Sequence, residues 1–298
     1  MPGRLIALGL DATDPALLEQ WMADGHLPNI ARIREQGSLG VVRNVEYYRT
    51  ETSWLNFLTG KLPEETGEWG HMSYDPGTYG ITEKSAFSFE RHPPFYRGLD
   101  SKRAAIFDPP LARVVEGVNG IQVLGWGTEV NQCLRESSPP GLMGELIAKH
   151  GAHPLLQDAG ESATGEELLS YSIPSSYDIE AQLALARQLQ DGARRRTGVM
   201  RDLLSREHWD IFLGVFSETH TANHLLWHMS QPHPLHSSMV AGAGMEDPML
   251  AVFRAVDEGV GELAAGLPEQ DHLLLFSIYG IAANVLDLPS MLFLPELL

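Results

Sequence analysis

Residues 5–11 read Leu-Ile-Ala-Leu-Gly-Leu-Asp, a six-residue apolar run that ends on a carboxylate. A short, continuous apolar run of this kind predicts a buried strand over Leu5–Leu10. Open α/β sheets bind their ligands at the carboxyl ends of the strands, so Asp11 is a candidate site residue. An Asp just before a helix can also serve only as a cap for backbone N–H groups, and the sequence leaves that alternative open.

Further apolar runs predict strands at Ala104–Phe107, Ile121–Gly125, Ile211–Phe216 and Leu273–Ser277. Helical patterns fall between the strands, at Pro15–Ala23, Asn29–Gln36, Leu142–His150, Ile179–Arg206 and Met249–Ala265. Strands that alternate with helices indicate an α/β fold, with a predominantly parallel central sheet and helices on both faces. We expect one domain over residues 1–298, in which the irregular segments 61–102 and 127–177 are candidate lid or insertion loops.

Composition narrows the classes of partner. The chain has 21 Lys and Arg against 39 Asp and Glu, a net charge of −18, which argues against nonspecific binding to nucleic acid. The basic run Arg194–Arg196 lies in a predicted helix, and we expect it to face solvent. No apolar run is long enough for a membrane span. The single cysteine and the lack of a signal-peptide pattern favour a reducing, cytoplasmic setting.

A second informative stretch, residues 50–60, reads Thr-Glu-Thr-Ser-Trp-Leu-Asn-Phe-Leu-Thr-Gly. Its apolar residues predict a short helix that ends at Gly60, with Thr50 just ahead of it. Free backbone N–H groups and the helix dipole favour an anion at such a helix start. Thr50 could be a simple helix cap, but a hydroxyl close to Asp11 suggests metal-assisted chemistry on a phosphate or sulfate ester.

Two histidines follow the predicted strand Ile211–Phe216. His220 and His224 are spaced i, i+4, so on a helix they share one face and could grip one metal ion. Histidines at a helix start can also be capping or surface groups, and this alternative stays open.

Together these residues resemble the type I phosphodiesterase/nucleotide pyrophosphatase family of the alkaline phosphatase superfamily. The resemblance rests on Leu8-Gly-Leu-Asp11, on Gly25-His-Leu-Pro-Asn29, and on Thr50 followed by Thr59-Gly60. It implies a metal-dependent hydrolase of phosphodiesters or pyrophosphates that acts on a phosphorylated small molecule.

The resemblance also implies roles for individual residues. Thr50 would be the nucleophile, and a covalent phospho-enzyme intermediate would form. The divalent metal, usually zinc and in one or two ions, would be bound by Asp11, Thr50, His220 and His224. Glu51 and His71 would contact the phosphate.

Several positions depart from the family pattern. The second metal motif, normally Ser-Asp-His-Gly, reads Ser277-Ile-Tyr-Gly280, and His220 replaces an acid of the first motif. One ion held by Asp11, His220 and His224 is therefore the simplest remaining site, with Thr50 or water in the open position. The alternative is a catalytically impaired family member that binds a phosphorylated ligand or a partner chain. A mutase-like activity also stays open.

The C-terminus shows a further departure. A histidine that the family carries later has no counterpart, and the sequence stops in the apolar run Leu286–Leu298. We therefore expect the chain to be incomplete at its C-terminus. The same apolar run could pack against another copy of the chain, so a homo-oligomer stays open.

Overall fold

A computed structural model describes residues 3–43, 52–70, 72–84, 86–99, 101–127, 132–156, 168–170, 173–232 and 246–283. The strands are β1 (Leu5–Leu10), β2 (Met72–Asp75), β3 (Gly80–Glu83), β4 (Ala104–Phe107), β5 (Gly120–Leu124), β6 (Gln132–Leu134), β7 (Glu136–Ser138), β8 (Leu168–Ser170), β9 (Ile211–Phe216) and β10 (His272–Phe276). The α-helices are α1 (Pro15–Ala23), α2 (Pro28–Gln36), α3 (Ser53–Thr59), α4 (Pro63–Thr66), α5 (Leu142–His150), α6 (Ile179–Arg206), α7 (Glu218–Ser230) and α8 (Pro248–Ala265).

The central sheet is mostly parallel, as the alternation of strands and helices predicts. Within the described residues it has six strands in the order β10-β1-β9-β4-β5-β7. The first five strands of this order pair in parallel, and β7 runs antiparallel to β5. The short strands β2, β3, β6, β7 and β8 are not among the strands that the apolar runs predict, since each mixes polar residues into its three or four positions.

Alternate residues of β1 point to opposite faces of the sheet, where they enter different apolar clusters. Ile6 and Leu8 pack in the larger cluster, which also contains Leu189 of α6 and Phe253 of α8. Ala7 packs on the other face. The prediction that helices cover both faces is therefore confirmed, although the long helices lie on one side only.

The second face is covered in part by the segment that the sequence marks as a candidate lid. Leu55 and Leu58 of α3 pack there, together with Phe87, Phe89 and Tyr96. These three aromatic residues have at most 3% of their surface exposed. Residues 86–99 are thus partly core, and a lid role for the rest of 61–102 stays a prediction.

The starts of α1 and α6 are capped by aspartate side chains. The Asp14 carboxylate accepts a hydrogen bond from the Leu17 N–H at 2.8 Å, and Asp178 accepts one from the Ala181 N–H at 3.0 Å. Each side chain satisfies a backbone donor that the first turn of a helix leaves without an intrahelical partner. Among the helices described here, none is long and apolar enough to cross a bilayer.

Replacing Gly120 by Ala tests the close approach of the first residue of β5 to the neighbouring strand β4. Gly120 has φ +154°, and an added Cβ would fall on the carbonyl oxygen of Ala104 in the neighbouring strand. We expect Gly120→Ala to lower the free energy of unfolding by at least about 2 kcal/mol. Gly144→Ala is the matched control, because Gly144 lies in α5 with open space around it and should gain about 0.5–1 kcal/mol. Urea unfolding of both variants measures their free energies of unfolding. Similar unfolding midpoints for the two variants would contradict the close contact described at Gly120.

Candidate active site

The carboxyl ends of the parallel strands bring polar side chains to one edge of the sheet. Asp11 follows β1, Asp108 follows β4, Ser217 follows β9 and Ser277 follows β10. This is the edge at which open α/β sheets bind their ligands. The sequence prediction that Asp11 ends a strand at this edge is confirmed.

Asp11 is buried, with 1% of its surface exposed, and both of its carboxylate oxygens accept hydrogen bonds. Oδ1 accepts from the Trp54 indole Nε1–H at 2.8 Å. Oδ2 lies 3.0 Å from His220 Nδ1. The carboxylate therefore joins α3 on one side to α7 on the other.

Helix α7 also holds the backbone next to the carboxylate. The Thr219 hydroxyl donates to the Asp11 carbonyl oxygen at 2.7 Å, and the Asn223 amide donates to the Ala12 carbonyl oxygen at 2.9 Å. Ala12 has φ +56°, a left-handed conformation that is uncommon for a residue with a Cβ. These bonds fix the sharp turn that carries the chain from β1 toward α1.

The structure brings the two predicted histidines together on α7. The ring centroids of His220 and His224 lie 4.5 Å apart, with the ring planes inclined by 31°. Desolvation and the positive charge of the neighbouring His220 lower the pKa of His224 to about 4, although the negative charge of Asp11 acts in the opposite direction. The direction of this shift favours the neutral form of His224.

The segment that departs from the family's second metal motif also reaches this site. The Tyr279 hydroxyl lies 3.2 Å from His220 Nδ1. Ser277 Oγ accepts from the Thr13 N–H at 3.2 Å, which anchors the segment beside the end of β1. Tyr279 thus contacts the histidine that the sequence assigns to the other metal motif.

These donors do not fit a three-ligand cation site as they are arranged. His220 Nδ1 and Asp11 Oδ2 point at each other at hydrogen-bonding distance, so they satisfy one another and do not converge on a shared ion. Across the described residues, no three His, Cys, Asp or Glu side chains are grouped so that they could hold a metal ion. The predicted site at Asp11, His220 and His224 would need this pair to separate.

Three predicted site residues, Thr50, Glu51 and His71, lie outside the described residues. The helix that follows Thr50 begins at Ser53, with Thr52 at its N-cap position, and it ends at Gly60 in the left-handed conformation. The predicted helix is confirmed, and Thr50 lies two residues before its cap.

A second polar cluster lies inside the protein, close to the same edge. Arg196 of α6 has no exposed surface, so the prediction that Arg194–Arg196 faces solvent is wrong for this residue. The reason is periodicity: α6 is amphipathic, and Arg196 lies on the face that packs on the sheet. Its guanidinium donates to Glu218 Oε1 at 2.8 Å, to Asp108 Oδ2 at 2.7 Å and to Ser217 Oγ at 2.6 Å.

Both carboxylates bound by Arg196 have further partners. Asp108 accepts from the backbone N–H groups of Gly125, Trp126 and Gly127, which fixes the turn after β5. Glu218 is fully buried, and burial alone would raise its pKa. Arg196 and His153 outweigh that effect and lower the pKa of Glu218 to about 2.

Sequence reasoning missed Trp54, Thr219, Asn223 and Tyr279 as site residues. Trp54 looks like one more apolar position of a short helix, and only the contact of its indole N–H with Asp11 shows its polar role. The helical spacing of Thr219, His220 and Asn223 was readable, because residues i, i+1 and i+4 lie on one side of a helix. Nothing local indicates that Tyr279 reaches His220, since 59 residues separate them.

The chain belongs to the type I phosphodiesterase/nucleotide pyrophosphatase family, since the sequence model of that family matches residues 5–293. The resemblance that the sequence motifs carry is thereby confirmed. No curated protein matches the chain.

Two solved structures share the fold. Both are phosphonoacetate hydrolase from Sinorhizobium meliloti 1021, one in complex with phosphonoformate and the other with phosphonoacetate. Their TM-scores are 0.51 and 0.52, at 17% and 18% sequence identity. Each alignment covers 89% of this chain and 54% of the other, so this chain spans about half the length of those structures.

Replacing Arg196 by Met tests the internal cluster. The variant leaves the buried carboxylates of Asp108 and Glu218 without their cation, and we expect a loss of about 3–5 kcal/mol in unfolding free energy at pH 7. Arg194→Met is the control, because Arg194 is exposed and should change stability by no more than about 0.5 kcal/mol.

The pH dependence of stability should differ between the wild type and Arg196→Met. In the wild type the lowered pKa of Glu218 gives stability that is present above its ordinary value and is lost as the pH falls toward about 2. In the variant, burial is no longer opposed by Arg196, so the pKa of Glu218 rises and protonation favours the folded state. The stability gap, that is, the difference in unfolding free energy between the wild type and Arg196→Met, should therefore narrow as the pH falls from 7 to 4. Urea unfolding at each pH measures it. A gap that is independent of pH would contradict this account.

Proposed function

We propose that the chain is a phosphoester hydrolase of the phosphodiesterase or pyrophosphatase type, with Thr50 as its nucleophile. The observation that carries the proposal is the buried Asp11–His220 pair at the ligand-binding edge of the sheet, in a member of this family. In the proposed reaction the Thr50 oxygen bonds to phosphorus, and the bond between phosphorus and the leaving-group oxygen breaks. Water then cleaves the phosphothreonine and releases the phosphoryl product.

The Asp11–His220 pair supports proton transfer in this reaction. The Asp11 carboxylate is an acceptor, so it favours the imidazole tautomer of His220 with the proton on Nδ1 and the lone pair on Nε2. Nε2 can then take a proton from a hydroxyl or from water, and the carboxylate stabilises the imidazolium that forms. We assign His220 as the general base and Asp11 as the group that orients it.

The proposed reaction includes no step through a metal ion, because the described donors do not fit the predicted site. Zinc or another divalent ion on Asp11, Thr50, His220 and His224 stays a prediction that metal titration decides. Glu51 and His71 also stay predicted phosphate contacts.

The substrate class follows from charge and family. The net charge of −18 disfavours long polyanions, so we propose a phosphorylated small molecule. The two solved structures are complexes with small phosphonates, which supports a small phosphorus-containing anion as the ligand. A cytoplasmic setting and a homo-oligomer stay predictions.

A second function is favoured by one specific observation. Ile278 and Tyr279 replace the Asp and His of the family's second metal motif, and neither replacement is a good ligand for a divalent ion. The alternative is therefore a protein that binds a phosphorylated small molecule without turning it over.

Replacing Thr50 by Ala tests the nucleophile. We expect kcat for a chromogenic phosphodiester to fall by about 10³-fold or more, since the covalent step is lost. Thr50→Ser keeps the hydroxyl and should retain activity within about tenfold. Thr59→Ala is the control, because the Thr59 hydroxyl donates only to the Leu55 carbonyl oxygen at the far end of α3 in the contacts described.

Turnover is measured after chelator treatment and again with added zinc or manganese. Equal rates for the wild type and Thr50→Ala would reject Thr50 as nucleophile. A wild type that binds a phosphorylated ligand but never turns it over would establish the binding alternative.

A further inference from the structure

We propose that Asp11 does not coordinate a metal ion in this chain and is instead a hydrogen-bonded anchor that locks α3 and α7 to the end of β1. The lack of coordination is argued from geometry alone. The consequence, that Asp11 is a positioning residue for His220 and for helix α3, rests on the proposed function.

The bond to Trp54 commits the first carboxylate oxygen. Trp54 has 2% of its surface exposed, and its indole N–H is a donor that must find a partner when it is buried. The ring is held by edge contacts with Phe57 and Phe276, whose centroids lie 5.7 and 6.2 Å away. The packed indole therefore keeps one of the two lone pairs of Oδ1 occupied by its N–H.

The bond to His220 commits the second oxygen. A cation on Oδ2 would lie beside the Nδ1–H that now donates to it, and the two positive groups would repel each other. Thr219 and Asn223 hold the backbone at Asp11 and Ala12, so the carboxylate can move only by rotation of its own side chain, which breaks the bonds to Trp54 and His220. Coordination by Asp11 Oδ2 and His220 together would thus need their buried hydrogen bond to break.

The replacement in the family's second motif points in the same direction. Tyr279 brings a phenol, which bonds to hydrogen-bonding groups better than to a divalent ion, to within 3.2 Å of His220 Nδ1. The three side chains Asp11, His220 and Tyr279 therefore form a hydrogen-bonded set in a place where the family pattern has metal ligands.

Calorimetric titration with zinc alone tests the absence of coordination. The chelator-treated full chain is compared with Asp11→Asn, which keeps an oxygen acceptor for the Trp54 indole but removes the charge. We expect either no measurable zinc uptake by the wild type or a Kd that Asp11→Asn changes by less than about threefold. Asp14→Asn is the matched control, because Asp14 lies three residues away and caps α1. A loss of tenfold or more in Asp11→Asn that Asp14→Asn does not reproduce would overturn the proposal.

Indole exchange tests the anchor without relying on metal or on turnover. The Trp54 N–H signal is assigned in an NMR spectrum by its loss in Trp54→Phe, and its hydrogen exchange is measured. We expect exchange to be at least tenfold faster in Asp11→Ala than in the wild type, with Asp11→Asn close to the wild type. The N–H of exposed Trp69 serves as the internal control. Unchanged exchange of Trp54 in a folded Asp11→Ala would overturn the anchor.

Turnover separates this inference from the proposed function. If the wild type hydrolyses a phosphodiester, Trp54→Phe should lower kcat several-fold and leave KM within about twofold, since the reacting groups and not the binding groups are displaced. A several-fold rise in KM with kcat unchanged would overturn the positioning role. If the wild type shows no turnover, the proposed function fails, while zinc titration and indole exchange still decide whether Asp11 is an anchor or a ligand.

Discussion

The buried guanidinium of Arg196 is the constraint on which the arrangement of this sheet edge depends. A charge with no exposed surface is tolerated only when its donors are satisfied by well-placed acceptors. Those acceptors come from Asp108 at the end of β4 and from Ser217 and Glu218 after β9. The ends of separate strands are therefore fixed relative to one another and to α6, which lies beneath them.

This constraint reaches the candidate active site through α7. The helix begins at Glu218, directly after β9, and carries His220 two residues later. Thr219 and Asn223 of the same helix donate hydrogen bonds to the backbone that follows β1. The Asp11–His220 pair is thus held between an internal ion cluster and the backbone of β1, and little in it is free to adapt. A prearranged pair of this kind fits the proposed proton transfer, because the pair needs no reorganisation when charge develops.

The sequence predicts the fold well, because the strands that build the parallel sheet are apolar runs with clear ends. Leu5–Leu10, Ala104–Phe107 and Ile211–Phe216 are confirmed to the residue. The shorter strands carry too little apolar pattern to be recognised. Within the site, the sequence identifies Asp11, His220 and His224, because each has a signature in strand position or in helical spacing.

The sequence does not show which hydrogen-bond partners these residues have. Trp54 and Tyr279 reach the Asp11–His220 pair across 43 and 59 residues, and such pairings follow from tertiary packing. The prediction that Arg196 faces solvent is wrong for the same reason, since the sequence does not show the buried acceptors that its side chain finds. A ligand list transferred from a family pattern therefore says which side chains are near, but not which of them bind one another.

The position of β1 within the sheet has a consequence for synthesis of the chain. Its neighbours are β9 and β10, whose residues 211 and 272 align with Leu5. A ribosome therefore releases this apolar strand long before either of its partners exists. Slow, long-range pairing of this kind leaves the strand exposed to other chains. Yield in a cell should accordingly depend on chaperones that shield β1 until β10 has emerged.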